Sequence, residues 1–200
     1  VMLWTRAAPA NGGAAVSVAW EVSTDEDFES LVHSGTAEAA EAHDFTVKVD
    51  VRGLAPGQTY YYRFQTTDRQ SPVGVTRTLP EGSVDSVRLA VVSCSNYPAG
   101  YFNVYREISK QTDLDAVVHL GDYIYEYSSD SSSYAAQDAQ ALGRTFPQDN
   151  NLELIELVDY RRRYAAYRAD PDLQSLHARV PFIVVWDDHE VANDTWEEGA

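Results

Sequence analysis

The sequence predicts a multi-domain chain, an all-β N-terminal part followed by an α/β part, on three observations. Apolar residues alternate with small or polar ones at Val16, Val18, Trp20 and Val22, and again at Phe45, Val47, Val49 and Val51, which is the period of half-buried strands. Past residue 86 the pattern changes to near-continuous apolar runs: Val87 with residues 89–92, then 116–120, then 182–186. Such runs are expected of strands buried on both faces of a parallel sheet. Helical stretches separate them, so strand, helix, strand, helix and strand follow in order, the signature of an α/β domain.

In the first part, Thr24-Asp25-Glu26-Asp27 is a polar turn, after which Phe28, Leu31 and Val32 are expected to return to the core. Gly53 to Gln58 supply a turn in which proline presets and glycine permits the required dihedrals. The next strand places Tyr60, Tyr62 and Phe64 on one face. This turn and strand resemble the E–F corner of an immunoglobulin or fibronectin III sandwich, in which a tyrosine hydroxyl bonds back to the upstream backbone. Tyr60 is the candidate, and another β fold with an aromatic strand is the alternative. Residues 72–86 read as a last strand and a linker, so the expected domains are residues 1–82 and 83–200.

In the second part the expected elements are a helix over residues 101–111 and a low-complexity loop over 128–151 containing Ser131-Ser132-Ser133. A long helix follows over 152–168, then a break at Asp170-Pro171 and a short helix over 172–179.

Composition narrows the function. Fifteen Lys and Arg stand against 31 Asp and Glu, a formal net charge of −16. That excludes a nonspecific nucleic-acid-binding surface and an anionic-membrane surface. An acidic protein acting on an anion needs another source of positive charge, and metal ions are the obvious one. The 44% apolar content is enough for a real core, and no apolar run is long enough for a transmembrane helix. With Cys94 alone there is no disulfide framework. The first residues are not a signal peptide; they read as mid-strand, as if the chain began inside a larger protein.

Each α/β strand ends in polar groups: Ser93-Cys94-Ser95-Asn96, Gly121-Asp122-Tyr123-Ile124-Tyr125-Glu126 and Asp187-Asp188-His189-Glu190. Sites form at the carboxyl ends of strands in open α/β sheets. Asp122 follows an apolar strand and a glycine; its two oxygens suit bridging two cations, and a helix N-cap is the plain alternative. Tyr125 offers a phenolate suited to ferric iron, or simply an aromatic strand edge with Tyr123 and Tyr127. Cys94 is a candidate thiolate ligand, a packed thiol, or a nucleophile with His189 as base. His189 is a candidate ligand or general acid. Asn193 lies four residues beyond, within reach of the same side of a helical turn. Arg161 and Arg168 share a helix face and could approach an anionic substrate; a solvated basic face is the alternative reading. His33, His43, His119 and His177 are assigned no chemistry.

These motifs, with Tyr160-Arg161-Arg162-Arg163-Tyr164 and Trp186 through Asp194, resemble the PhoD-like alkaline phosphatases and phosphodiesterases, within the calcineurin-like metallophosphoesterases. The resemblance covers essentially the whole chain. It implies an immunoglobulin-like first domain, then an α/β metallophosphoesterase domain holding one ferric iron and calcium. Cys94 and Tyr125 would bind iron, and Asp122 would bridge to the second metal. Asp188 would stand where relatives in the wider superfamily carry an asparagine ligand of the second metal, with Asp187 and Asn193 as further calcium candidates. His189 would stand near the leaving group.

The implied reaction is hydrolysis of a small-molecule or polymeric phosphoester by metal-bound hydroxide. The implied location is secreted or cell-envelope. The superfamily supplies further ligands well downstream, so the chain reads as the N-terminal portion of a longer enzyme whose α/β domain is incomplete. The alternative is a noncatalytic extracellular binding module with a degenerate α/β part. Oligomeric state is not legible.

Overall fold

The computed structural model describes residues 1–9, 12–13, 15–129 and 136–199; Ser131-Ser132-Ser133 fall outside them. The chain divides into two compact units, Val1–Val87 and Arg88–Ala200.

Antiparallel strands in two sheets make the first unit. β1 (Met2–Arg6) pairs with β4 (Thr46–Asp50). β3 (Leu31–Ala40), β2 (Ala15–Ser23), β5 (Thr59–Gln65) and β6 (Gly74–Arg77) pair in that order. The alternating pattern decides which side chains are enclosed. Val18 and Val22 of β2, Tyr60 and Phe64 of β5, Leu3 of β1 and Val47 of β4 share one buried cluster. Each such burial stabilises by about 1.5–3 kcal/mol. The Tyr60 hydroxyl accepts the Ala55 N–H at 2.9 Å, the expected back-bond.

Leu31 and Val32 do not return to the core; they are 48% and 42% exposed. The return is made by Phe28 alone and fixed by the Asp25 carboxylate, which accepts the N–H groups of Glu29 and Ser30 at 2.9 and 2.7 Å. Leu31 then begins an edge strand.

The second unit is centred on a parallel sheet with β8 (Ala116–His119) between β7 (Leu89–Val92) and β9 (Phe182–Val184). Its helices are α1 (Asn103–Ser109), α2 (Ala139–Leu142), α3 (Leu157–Arg168) and α4 (Pro171–Arg179). Phe102 and Tyr105, Tyr167 of α3, and Leu173 and Leu176 of α4 form a core with Val117 of β8, and Ala90, Val92 and Phe182 pack against it.

Within these 200 residues that core lies on one face only, where strands buried on both were expected. On the opposite face Leu89, Val91 and Ile183 remain about half exposed, because the core-forming helices all contribute to the other side. α3 also starts later than expected. A capping box of Glu156 and Asp159, with the Glu156 N–H 3.0 Å from the Asp159 carboxylate, sets its start at Leu157. Leu152 and Ile155, read as helix, are exposed chain before it. The short α2 falls within the stretch read as loop. α4 begins at Pro171, its N-cap Asp170 accepting the N–H groups of Asp172 and Leu173.

Candidate metal centre

Parallel strands present all their carboxyl ends at one edge, and here three chain segments meet there. Cys94 follows β7, Asp122 follows β8, and a short 3-10 turn over Asp188–Glu190 follows β9. Cys94 and Asp122 both adopt left-handed backbone, with φ of 59° and 52°. That conformation costs a non-glycine residue about 1–2 kcal/mol, so surrounding bonds must hold it. They do: the Cys94 N–H donates to the Gly121 carbonyl at 3.2 Å and the Ser95 N–H to the Asp122 carbonyl at 2.9 Å. Gly121 itself, with φ of 106°, is required by contact as well. A Cβ there would stand 2.4 Å from the Asp187 Cβ.

The side chains converge on Asp122, which is buried. The Cys94 thiol and the Tyr125 hydroxyl both donate to its Oδ2, at 3.4 and 3.2 Å. Its Oδ1 is enclosed and finds no hydrogen-bond partner among the described residues. Single ligand atoms of Asp122, Asp188 and His189 lie within 4.8 Å of one another, a group able to hold a metal ion. An enclosed carboxylate oxygen without a donor is costly, and a cation supplies what it lacks. Carboxylate and imidazole donors beside a thiol and a phenol suit a transition metal next to a hard divalent cation. The residues therefore fit the metal centre that the motifs imply.

Electrostatics agree with that chemistry. Burial, reinforced by the Asp122 carboxylate and the Cys94 thiol, pushes the Tyr125 phenol far above its ordinary pKa. A cation on Asp122 would act in the opposite sense. The backbone N–H of Asp194, 2.6 Å from Asp188 Oδ2, holds the Asp188 carboxyl below its ordinary pKa. The His189 Nδ1 donates to Glu126 Oε2 at 2.8 Å, which leaves Nε2 as the free ring nitrogen. The rings of Tyr125 and Tyr127 stand 4.2 and 5.2 Å from the imidazole, centroid to centroid.

Other candidate residues stand apart from this group. Asp187 is exposed and shares a capping box with Glu190. Asn193 lies past the 3-10 turn rather than on a helix; its side chain donates to Asp194 Oδ2 at 2.8 Å. Arg168 lies 5.3 Å from the ring centroid of Tyr123, the residue after Asp122, and Arg161 is half-buried on α3.

Three residues assigned no role from sequence organise the site. Glu126 is buried and accepts from both His189 Nδ1 and the Asn193 N–H. Glu190 is buried and accepts the N–H groups of Asp122, Tyr123 and Asp187. Arg163 is fully buried, so the basic run on α3 is not uniformly a solvated face. It donates to the carbonyls of Tyr125, Tyr127, Asn150 and Leu152 and to Asn150 Oδ1. The signal was available: Tyr160, Arg163, Tyr164 and Tyr167 have the i, i+3, i+4, i+7 spacing of one helix face.

A parallel sheet whose edge gathers carboxylate, imidazole, thiol and phenol defines a class, the α/β proteins with a candidate cation centre at the strand ends. Residues 89–200 match the PhoD-like phosphatase family and residues 1–80 match the PhoD-like phosphatase N-terminal domain. The chain belongs to the PhoD-like phosphatases. It is 45% identical over 202 residues to alkaline phosphatase D of Bacillus subtilis (strain 168), covering 97% of this chain and 33% of that protein. A solved structure described as "Structure of PhoD" superposes with a TM-score of 0.87 at 42% identity, covering 100% of this chain and 38% of that one. The chain thus spans about a third of the length of these relatives.

Proposed function

We propose that this chain contributes part of the catalytic centre of a metal-dependent phosphoesterase. The observation that carries the reading is the buried, unpartnered Oδ1 of Asp122 beside the ligand atoms of Asp188 and His189. In this reading Cys94, Tyr125 and Asp122 would hold iron, and Asp122 and Asp188 would hold calcium, with Asp187 or Asn193 as candidates for a further calcium ligand. Such cations supply positive charge against phosphoryl oxygens and make water a nucleophile near neutral pH.

The chain's own residues do the rest. Asp122 fixes the position of the charge. Glu126 accepts from His189 Nδ1 and so orients the imidazole, with Nε2 as the ring nitrogen from which a proton can pass to the leaving oxygen. Tyr125 and Tyr127 wall the imidazole. Arg161 and Arg168 are read as contacts to the anionic substrate, a phosphomonoester or phosphodiester, small or polymeric. The first unit is read as an immunoglobulin or fibronectin III-like sandwich, supported by the Tyr60 back-bond, with the domain boundary at 82/83 in the stretch between β6 and β7. A secreted or cell-envelope location follows the family likeness.

Hydrolysis of a chromogenic phosphoester by the full-length protein tests the reading, alongside elemental analysis and a visible spectrum. Iron and calcium in the purified protein, a phenolate-to-iron absorption band, loss of activity with chelator, and at least about 1,000-fold lower turnover in Asp122→Asn are expected. Near-normal turnover of Asp122→Asn would sink it.

A further inference from the structure

We propose that Glu190 is a positioning residue whose carboxylate fixes the left-handed turn that aims Asp122. The inference rests on the reading of Asp122 as a cation ligand and explains how its geometry is set. Gly121 and Asp122 have φ of 106° and 52°, and the N–H groups of Asp122 and Tyr123 both donate to one acceptor. Successive N–H groups converging in this way form a concave anion site, and the Glu190 carboxylate is the anion that fills it. Oε2 accepts the Asp122 N–H at 3.0 Å and Oε1 accepts the Tyr123 N–H at 2.5 Å.

The same carboxylate reaches the next strand end. Oε2 also accepts the Asp187 N–H at 2.7 Å. One buried side chain therefore ties the turn after β8, which carries Asp122, to the segment after β9, which carries Asp188 and His189. Glu190 follows His189 directly in the chain, so the three groups able to hold a metal ion are referenced to one anchor. Bonds from N–H groups to an ionised carboxylate are roughly twice as strong as neutral ones, which suits an anchor for strained backbone. On the other side, the Ser95 N–H at 2.9 Å from the Asp122 carbonyl completes the clamp.

Glu190→Gln keeps size and shape but turns one acceptor oxygen into an NH2 facing a backbone N–H. Amide hydrogen exchange on the full-length protein, with and without the substitution, is the test, together with a titration by calcium alone. Expected is at least about 10-fold faster exchange at Asp122, Tyr123 and Asp187, with α4 amides unchanged and calcium affinity at least about 10-fold weaker. Unchanged exchange at those three amides in a folded variant overturns the proposal. So does an equal rise throughout the second unit, which would mark a merely structural residue. If Glu190→Gln does not fold, the wild-type protein still decides: slow exchange at all three amides supports the proposal and fast exchange refutes it. Exchange judges Glu190, whereas the wild-type calcium titration judges the cation reading, so the two fail separately.

Discussion

His119 has no solvent exposure, and its Nε2 lies 3.1 Å from the Tyr105 hydroxyl and 3.3 Å from Ser95 Oγ. Burial lowers its pKa to about 4, although the nearby Asp122 carboxylate opposes the shift. The folded state therefore takes up the proton only near pH 4, the unfolded state near 6.5. Stability from this group is complete above pH 6.5 and is lost as pH falls toward 4, by about 3 kcal/mol in all. Burial depresses His177 in the same sense. Chemical denaturation of wild type and His119→Gln between pH 7 and 4 checks this: the variant's stability should fall less steeply, and parallel curves would exclude His119 as the cause. Ser95 Oγ also lies within 3.2 Å of the carbonyls of Asp122 and Tyr123, so the same cluster backs the candidate metal centre. At this scale the gathering of strand-end residues around Asp122 was legible, because a carboxylate, thiol or phenol ending an apolar strand has little reason to be core. Glu126 and Glu190 were not, since a carboxylate that accepts backbone N–H groups reads no differently in sequence from one that binds a cation.

Elements hold the site where single residues meet it. α3 contributes Arg163, whose donors go to acceptors in two chain segments, residues 125–127 and 150–152. Burial lowers its pKa to about 10, so it remains charged at neutral pH. Arg163→Lys offers one ammonium for acceptors that a planar fork reaches separately, leaving buried carbonyls unpaired. The expected loss is about 3–5 kcal/mol in denaturant unfolding, with weaker cation binding because the Tyr125 carbonyl is released; a loss below about 1 kcal/mol would refute the clamp. In the β8 turn, Gly121→Ala sets a Cβ 2.4 Å from the Asp187 Cβ on backbone with φ of 106°. Unfolding should come at least about 2 kcal/mol sooner, and calcium titration should show weaker binding even where the fold survives. The helices themselves were largely legible from periodicity and from Asp170-Pro171. The start of α3 was not, because Leu152 and Ile155 continue an apolar spacing that the Glu156 and Asp159 capping box overrides.

At the scale of the molecule, the change from alternating apolar residues to continuous apolar runs separated by helical stretches made the two units legible. The open face of the β7-β8-β9 sheet was not legible, since a continuous apolar run reads the same whether one face or both are covered. Leu89, Val91, Ile183 and Val185 expose 48%, 60%, 56% and 49% of their surfaces on that face. Neighbouring apolar side chains on one sheet face form a patch that drives association. The net charge of −16 opposes it through repulsion between copies. Salt should decide the balance, because screening shortens the reach of that repulsion to about 10 Å near 0.1 M while leaving the apolar attraction in place. Sedimentation of this 200-residue chain should therefore show a mean mass that rises with protein concentration and rises further with salt. Val91→Lys with Ile183→Lys should return it to the monomer mass, and thermal midpoints should move by only a few degrees, about the effect of exposed substitutions. Association that weakens with salt would mean that charge pairing, not this sheet face, holds the copies together.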